Sequence, residues 1–538
     1  MNLIAKSSMF LLLASGIAFA QFPSQLKNVI VIVQENRTPD NLFHFLTPAC
    51  PIPAGATGYA ACTPSPVTNH CYDISPCGLS NQSGTVVPVP LQPVGMDNGI
   101  DPGHGYINFQ QMCDPDPKAG FKCRMDGAWH TFKNGLSYGY ADNPAVTNYD
   151  GSAGHYLDPY LTFAKQYGWA NFMYQTNQSA SYPAHQFLFS GTSALTNLDD
   201  AYSIFVSEIF YGAPILKAGC VLPPSTTANS VFGYVIQPTT GTSTECTLYD
   251  NRSVQECKVY NNVDANNVGT FCGDPNNMAT TVLEPNSISW KYYAPSAFPI
   301  WQAPNAIRSI CNPQPDGTGA YMCTGEEWTN HVDLSDYGTD ILRDIRDCKL
   351  AQVSWAIPNG TWSDHPMGDY YQSGPSWVAA IINLIANNPP CPAGTPDAGQ
   401  TYWDNTVVVV TWDDWGGWSD NQPPVVAAGL PCVYTTPPTA CRGDFEYGFR
   451  VPLLIVSAYT PRGYIDNVTH DFGSILRMIE GINHVPEGMM KNADARSATD
   501  LHGFFTLTQP RQYQTVPAAE DVDYFLTFKG AVAVPDND

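Results

Sequence analysis

The chain alternates short, strongly apolar runs with segments whose apolar residues have helical spacing. Residues 29–33 and 407–411 are runs rich in valine and isoleucine with polar flanks, and such runs are typical of strands buried on both faces of a parallel sheet. The other predicted elements are two strands, over residues 351–357 and 451–456, and four helices, over residues 159–167, 183–195, 376–385 and 471–480. This alternation predicts an α/β fold, doubly wound, with a mostly parallel central sheet flanked by helices.

Two regions lack this periodicity. Residues 50–125 are rich in Cys, Pro and Gly and are predicted to form loops, and residues 215–350 contain seven cysteines and are interpreted as an insertion or cap. The sixteen cysteines form no CxxC repeat, so structural zinc is not expected. We instead expect several disulfides that hold long loops, with a pairing that spacing does not determine. The rest of residues 21–538 is predicted to be one domain.

The first twenty residues have the composition of a secretory signal peptide. Lys6 precedes an apolar run, and Ala18 and Ala20 fit a small-x-small cleavage site. The alternative is a buried N-terminal helix. No later segment has about 18 uninterrupted apolar residues, so no membrane-spanning segment is expected after cleavage. We therefore expect a secreted or periplasmic protein, and an oxidising compartment agrees with the cysteine content.

The chain is strongly acidic, with a formal net charge of −24 at pH 7. Such a charge disfavours binding to nucleic acid or to an anionic lipid surface through a basic patch. A phosphate-bearing substrate would have to be held locally, by a metal ion or by backbone amides.

Candidate metal ligands follow the two most apolar strands. Asp413 and Asp414 come directly after residues 407–411, and Glu35 and Asn36 follow residues 29–33. Adjacent carboxylates repel each other unless a cation or a proton lies between them, and open α/β sheets build their sites where strands end. If the two strands are neighbours, these residues form an all-oxygen site for one divalent ion such as Ca²⁺, Mg²⁺ or Mn²⁺. Taken alone, the pair Glu35 and Asn36 is also compatible with a cap or turn.

A candidate nucleophile and candidate proton donors lie elsewhere in the chain. Ser181 precedes Pro183, a residue favoured in the first turn of a helix, and a helix N-terminus favours an attached phosphate. An ordinary N-cap serine is the alternative. His104 and His365 lie close to Asp101 and Asp364 in predicted loops, where a carboxylate fixes a tautomer or raises the pKa of a histidine. A structural role is the alternative for each.

Several blocks in a fixed order resemble the bacterial phosphoesterase family that contains secreted phospholipases C and AcpA-type acid phosphatases, within the alkaline-phosphatase-like superfamily. The blocks that carry this resemblance are residues 33–43, 101–104, 125–127, 181–191, 289–293, 363–366, 374–377, 412–424 and 448–452, with His470. The resemblance implies a hydrolase that acts on phosphate esters through a phosphoserine intermediate. Its substrate would be a small phosphate ester or a phospholipid.

The resemblance also implies roles for single residues. Glu35, Asn36, Asp413 and Asp414 match the metal ligands of the family, and Ser181 matches its nucleophile. His104 and His365 match histidines that contact the substrate. Asp420 and His470 fall within family motifs, but no role is assigned to them.

The chain departs from the family pattern in three places. Asn421 follows Asp420 where phospholipases commonly have histidine, Ala184-His185 follows Pro183 where Asn-Arg is usual, and Ser179-Ala180 replaces Gly-Pro. We also expect no C-terminal β-domains, since the chain ends soon after the motifs. These points favour an acid-phosphatase-like enzyme. The alternatives are a phospholipase C acting on phosphatidylcholine or sphingomyelin and, more remotely, a non-catalytic secreted binding protein.

Overall fold

A computed structural model describes most of the chain beyond the N-terminus. The described residues are 22–46, 64–96, 99–115, 122–131, 135–197, 200, 204–211, 218–222, 227–232, 245–248, 255–260, 272–295, 300–319, 321–334, 339–366, 373–427 and 445–533. The predicted signal peptide, residues 1–20, lies outside them. No helix within these ranges is long and apolar enough to cross a membrane.

The main sheet has eight strands. In chain order they are β1 (Asn28–Gln34), β2 (Gly168–Tyr174), β3 (Trp290–Tyr293), β4 (Val332–Asp333), β5 (Val353–Ala356), β6 (Thr406–Trp412), β7 (Leu453–Ser457) and β8 (Tyr464–Asp471). Their order across the sheet is β4-β3-β5-β1-β6-β7-β2-β8. Only β7 runs antiparallel to its neighbours, β6 and β2; the other pairings are parallel. The predicted mixed α/β fold with a mostly parallel sheet is confirmed.

Strands β1 and β6 form the centre of the sheet. Every residue of both strands is buried, as expected for strands covered on both faces. They pair in parallel over seven residues, from Asn28 opposite Thr406 to Gln34 opposite Trp412. This register brings the two segments that follow the strands, starting at Glu35 and Asp413, to the same edge of the sheet.

Six helices of seven residues or more accompany the sheet in the described ranges. They are α1 (Tyr106–Cys113), α2 (Asp158–Gln166), α3 (Ser181–Ser190), α4 (Asp340–Arg346), α5 (Gly374–Asn387) and α6 (Phe472–Ile482). Shorter helices span Pro39–Leu42, Ala128–Thr131, Arg308–Cys311, Glu326–His331, Tyr402–Asn405, Lys491–Arg496 and Val522–Thr527. Helix α5 contacts α2 and α4, and α3 contacts α6. The four predicted helices correspond to α2, α3, α5 and α6.

Smaller sheets lie outside the main one. A four-stranded antiparallel sheet consists of Ile204–Tyr211, Thr227–Phe232, Glu245–Leu248 and Gln255–Tyr260. Two-stranded pairs join Cys77–Ser80 to Val87–Pro90, Gln92–Val94 to Gly139–Ala141, Ala145–Thr147 to Ala153–His155 and Pro313–Pro315 to Tyr321–Cys323. Residues 50–125 thus contain short strands and helix α1 in addition to the predicted loops.

The predicted insertion over residues 215–350 includes two strands of the main sheet, β3 and β4. The division of the chain stays a prediction, and these two strands favour a narrower insertion that ends before Trp290.

Disulfides hold several of the loops, as predicted. The pairs are Cys113–Cys123, Cys220–Cys272, Cys311–Cys323 and Cys348–Cys391. Cys71 and Cys77 are also disulfide-bonded. No cysteine within the described ranges is free.

Candidate active site

The segments that follow β1 and β6 are joined by backbone hydrogen bonds beyond the ends of the strands. The amide of Asp413 donates to the carbonyl of Gln34 at 2.9 Å, and the amide of Arg37 donates to the carbonyl of Asp414 at 3.0 Å. Asn36 lies between them with a positive φ of 63°, a conformation that asparagine tolerates better than most residues. Glu35 and Asn36 therefore lie directly beside Asp413 and Asp414.

Backbone amides fix one oxygen of each aspartate. Asp413 Oδ1 accepts hydrogen bonds from the amides of Asn36 at 3.0 Å and Asp414 at 2.7 Å. Asp414 Oδ1 accepts one from the amide of Gly416 at 2.7 Å. Gly416 has a φ of +60°, and a Cβ at this position would lie 2.2 Å from the carbonyl oxygen of Asn36. This close approach requires glycine.

The second oxygen of each aspartate faces a different side chain. Asp414 Oδ2 lies 3.2 Å from Ser181 Oγ, and Asp413 Oδ2 lies 3.9 Å from His185 Nε2. Asp413 Oδ2 is buried and has no hydrogen-bond partner among the residues that the structure describes. Both aspartates are fully buried, where an uncompensated charge is costly. The arrangement is suited to a bound cation.

Ser181 is the first residue of helix α3, which is preceded by Ala180 as N-cap residue. Its hydroxyl lies 3.2 Å from Asp414 Oδ2 and 3.5 Å from Asn36 Oδ1. These contacts are with the two segments after β1 and β6, so Ser181 is not the N-cap serine of the alternative interpretation.

His185 belongs to the same cluster, although we did not predict it. Its Nε2 lies 3.1 Å from Glu35 Oε1, and Glu35, His185 and Asp413 form a buried group whose ligand atoms all lie within 4.8 Å of one another. Burial lowers the pKa of His185 to about 4, although the charge of Asp413 raises it, so the imidazole is neutral near pH 7. Ser181 and His185 are four residues apart in a helix and therefore share one face, a spacing that the sequence already contained.

His104 orients the amide of Asn36. The Nδ1 atom of His104 lies 2.9 Å from the carbonyl oxygen of Pro102, which only accepts, so Nδ1 carries the proton. Its Nε2 atom lies 3.2 Å from Asn36 Nδ2 and accepts from that amide when the imidazole is neutral. The amide oxygen of Asn36 is consequently directed at Ser181, as a metal ligand at this position would require.

His365 lies on the same side of the site as His104. The two imidazole rings are 6.4 Å apart, and His365 is 5.6 Å from the ring of Trp301. Asp101, His104 and His365 form a second group of side chains close enough to share a cation.

The loop that carries His365 is held by residues of the first motif to which we had assigned no role. Gln34 donates to the carbonyl of Trp362 at 3.2 Å and accepts from the amide of Asp364 at 2.9 Å. Arg37 Nε donates to the carbonyl of Asp364 at 2.9 Å. Burial raises the pKa of Asp364 to about 6, and Arg37 opposes this shift. In the sequence, only their position at the end of β1 distinguished Gln34 and Arg37 from other polar residues.

Asp420 and His470 make contacts with residues outside this cluster. Asp420 binds the fully buried Arg450 through two hydrogen bonds, of 2.8 Å and 3.1 Å. His470 Nε2 lies 3.2 Å from Asp466 on β8, at one end of the sheet order. These contacts indicate structural roles for both residues.

The sequence profile of the phosphoesterase family matches residues 26–486. Phospholipase C A of Mycobacterium tuberculosis is 27% identical over 219 residues, which is 38% of this chain and 38% of that protein. Phospholipase C B of the same species is 30% identical over 183 residues (32% of this chain, 33% of that protein). The non-hemolytic phospholipase C of Burkholderia pseudomallei is 29% identical over 155 residues (26% and 20%).

The chain thus spans no more than 38% of the length of these curated relatives. The family match is much longer. It takes in more than half of the 538 residues and includes every residue of the site described above. The chain belongs to the phosphoesterase family.

Proposed function

We propose that this protein is a metal-dependent hydrolase of phosphoric esters and that Ser181 is its nucleophile. The observation that carries the proposal is the position of Ser181 Oγ, 3.2 Å from Asp414 Oδ2 and 3.5 Å from Asn36 Oδ1. A buried hydroxyl at a helix N-terminus, beside two carboxylate-bearing strand ends, is suited to attack on a bound phosphoryl group. Membership of the phosphoesterase family supports it.

Glu35, Asn36, Asp413 and Asp414 would hold one divalent ion. The residues fit such an ion because Asp413 Oδ2 is fully buried without a hydrogen-bond partner in the described part of the chain, and because Asn36 presents its amide oxygen. Their oxygen atoms suit Ca²⁺, Mg²⁺ or Mn²⁺. The chemistry that a divalent ion supplies when bound is activation of a hydroxyl and polarisation of a phosphoryl oxygen.

In the proposed reaction, Ser181 Oγ gives its proton to Asp414 Oδ2, 3.2 Å away, and attacks phosphorus. The bond from phosphorus to the leaving alcohol breaks in line with this attack. The amides of Ser181 and Tyr182 at the N-terminus of α3 stabilise negative charge on the phosphoryl oxygens. His365 or His104 protonates the leaving oxygen. Water then hydrolyses the phosphoserine and restores the hydroxyl.

Two substrate classes remain as proposals. The acid-phosphatase-like activity expected from the motif departures involves small phosphate monoesters. The relatives are named phospholipases C, which favours a phospholipid diester as the second candidate. We also propose an alkaline-phosphatase-like topology for the fold and a secreted or periplasmic location, which the disulfides support.

Exchange of Ser181 for alanine tests the nucleophile. We expect Ser181→Ala to lower kcat for an aryl phosphate by at least about 10³-fold, since the attacking atom is lost and each 1.4 kcal/mol of barrier is tenfold in rate. Chelation should abolish wild-type activity, and a defined divalent ion should restore it. Near-full activity of Ser181→Ala in the same metal would refute the assignment.

A panel of substrates distinguishes a phosphate monoesterase from a phospholipase C. Purified protein with each defined metal is given an aryl phosphate, phosphatidylcholine and sphingomyelin at equal concentration. Preferential release of phosphate from the monoester supports the acid-phosphatase prediction, and release of phosphocholine supports the phospholipase C candidate. Tight metal binding without turnover of any ester would favour the binding-protein alternative.

A further inference from the structure

His185 lies in the buried group that it forms with Glu35 and Asp413, and the proposed reaction does not use it. It is fully buried, and its Nε2 atom is directed at two carboxylates, 3.1 Å from Glu35 Oε1 and 3.9 Å from Asp413 Oδ2. At 3.9 Å the imidazole does not hydrogen-bond to Asp413 Oδ2, which has no hydrogen-bond partner in the described part of the chain. The imidazole therefore lies beside two buried carboxylates whose negative charge a bound cation would offset.

The spacing fits a shared ion. Bonds of roughly 2.0–2.2 Å place two ligand atoms of one ion about 3 to 4.4 Å apart, and the measured separations from Nε2 are 3.1 and 3.9 Å. The unpartnered Asp413 Oδ2 is an independent sign that a ligand belongs here. A hydrogen bond from His185 to Glu35 satisfies only one of the two carboxylates.

The helix fixes His185 relative to Ser181. The two residues are one turn apart on α3, so their side chains lie on the same helix face, beside the adjacent aspartates Asp414 and Asp413. Both side chains are fully buried, which leaves little freedom for either to turn away.

We propose that His185 is a nitrogen ligand of the active-site metal ion, together with Glu35 and Asp413, and that the site therefore prefers Co²⁺ or Zn²⁺ over Mg²⁺ or Ca²⁺. Imidazole nitrogen suits borderline transition ions, whereas a purely oxygen site suits hard cations. This inference rests on the proposed metal-dependent function and identifies the class of ion that serves it.

The test uses the full-length protein stripped of metal and measures binding rather than turnover. Titration calorimetry with Co²⁺ and with Ca²⁺ is carried out on the wild type and on His185→Gln. We expect the variant to lose at least about 100-fold in Co²⁺ affinity and less than about 10-fold in Ca²⁺ affinity. Equal losses for both ions would overturn the proposal, because they would indicate that His185 only orients Glu35 through a hydrogen bond.

His470→Gln is the matched control. His470 is also buried and also faces a carboxylate, Asp466 Oδ2, at 3.2 Å, but it lies on β8, away from the site. Its exchange should leave both affinities unchanged. A similar loss of Co²⁺ affinity in this variant would show that the effect is not specific to His185.

A second measurement detects a nitrogen ligand directly. Pulsed electron paramagnetic resonance of the Mn²⁺-loaded protein should show a coupling to imidazole nitrogen, and that coupling should disappear in His185→Gln. Mn²⁺ bound without nitrogen coupling would overturn the inference while leaving the proposed metal-dependent function intact. Failure of the wild type to bind any of these ions would overturn the proposed function as well.

Discussion

Single buried charges near the site are held by several partners at once. Arg450 is fully buried, binds both oxygens of Asp420 and donates to the carbonyl oxygens of Asp73 and Asn171 at 2.9 and 2.7 Å. Its Nη2 also donates to Asn421 Oδ1 at 2.5 Å. Asn421 thus helps to support the loop after Asp414.

Exchange of Arg450 for methionine should be strongly destabilising. It leaves the buried Asp420 without its cation, and breaking such a pair typically costs about 3–5 kcal/mol. The free energy of unfolding in urea measures this. The control is Arg346→Met, which removes an exposed pair with Asp347 and should cost about 0–1 kcal/mol. Equal costs would contradict the account of Arg450.

The carboxyl of Glu446 makes stability depend on pH. Burial raises its pKa to about 7, although a hydrogen bond from Gln178 opposes the shift. The folded state therefore holds a proton that the unfolded state releases, and stability falls as pH rises from about 4.5 through 7.

Glu446→Gln should remove that part of the pH dependence. The variant should match the wild type near pH 4.5 and exceed it at pH 8 by on the order of 1–3 kcal/mol, as measured by urea unfolding at both values. Glu487→Gln, at an exposed position, should show no such difference. A wild type more stable than Glu446→Gln at pH 8 would reverse the assigned sign.

At the scale of elements, the loop between β2 and α3 positions Ser181. Gln175 donates to the carbonyls of Asn177 and Ser179 at 2.9 Å each and accepts from the amide of Trp415 at 3.0 Å. Its side chain therefore ties the segment before the nucleophile to the segment after Asp414. Gly448 lies against this loop, where a Cβ would meet Asn177 O at 2.0 Å.

Gly448→Ala should displace the loop and lower activity without unfolding the protein. We expect a fall in kcat of at least about tenfold, since displacements near 1 Å at a reacting group cost up to about 10² in rate. Gly503→Ala, whose nearest atom is Tyr464 Oη at 3.3 Å, is the matched control with unchanged kcat. Wild-type kcat in Gly448→Ala would show that the loop does not depend on this contact.

At the scale of the whole molecule, the site joins five distant parts of the chain, around residues 35, 104, 181, 365 and 413. The two central strands, β1 and β6, could be predicted from the sequence. Both are buried over their entire length, a position that favours uninterrupted apolar runs. The sequence predicted that Glu35, Asn36, Asp413 and Asp414 lie beside one another if the two strands are neighbours, and β1 and β6 pair in parallel. β7 was predicted as a strand, but its antiparallel direction was not, because apolar runs carry no sign of orientation.

Other elements were not recognisable from local pattern. Strand β8 mixes exposed and buried residues and has an irregular register with β2. Strand β4 has two residues, and its pairing with β3 is set by tertiary packing. The role of Arg450 could not be foreseen either, because its partners come from several distant segments. His185 was not predicted as a site residue because a histidine within a predicted helix is not by itself a sign of function.

Trapping the phosphorylated enzyme tests directly whether Ser181 is the nucleophile. Metal-loaded protein is mixed with an aryl phosphate, quenched in acid during the first turnover, digested, and analysed by mass spectrometry. The account predicts one phosphoryl group on Ser181 and none in Ser181→Ala. Turnover that leaves Ser181 unmodified, with the phosphoryl group on another residue, would contradict it.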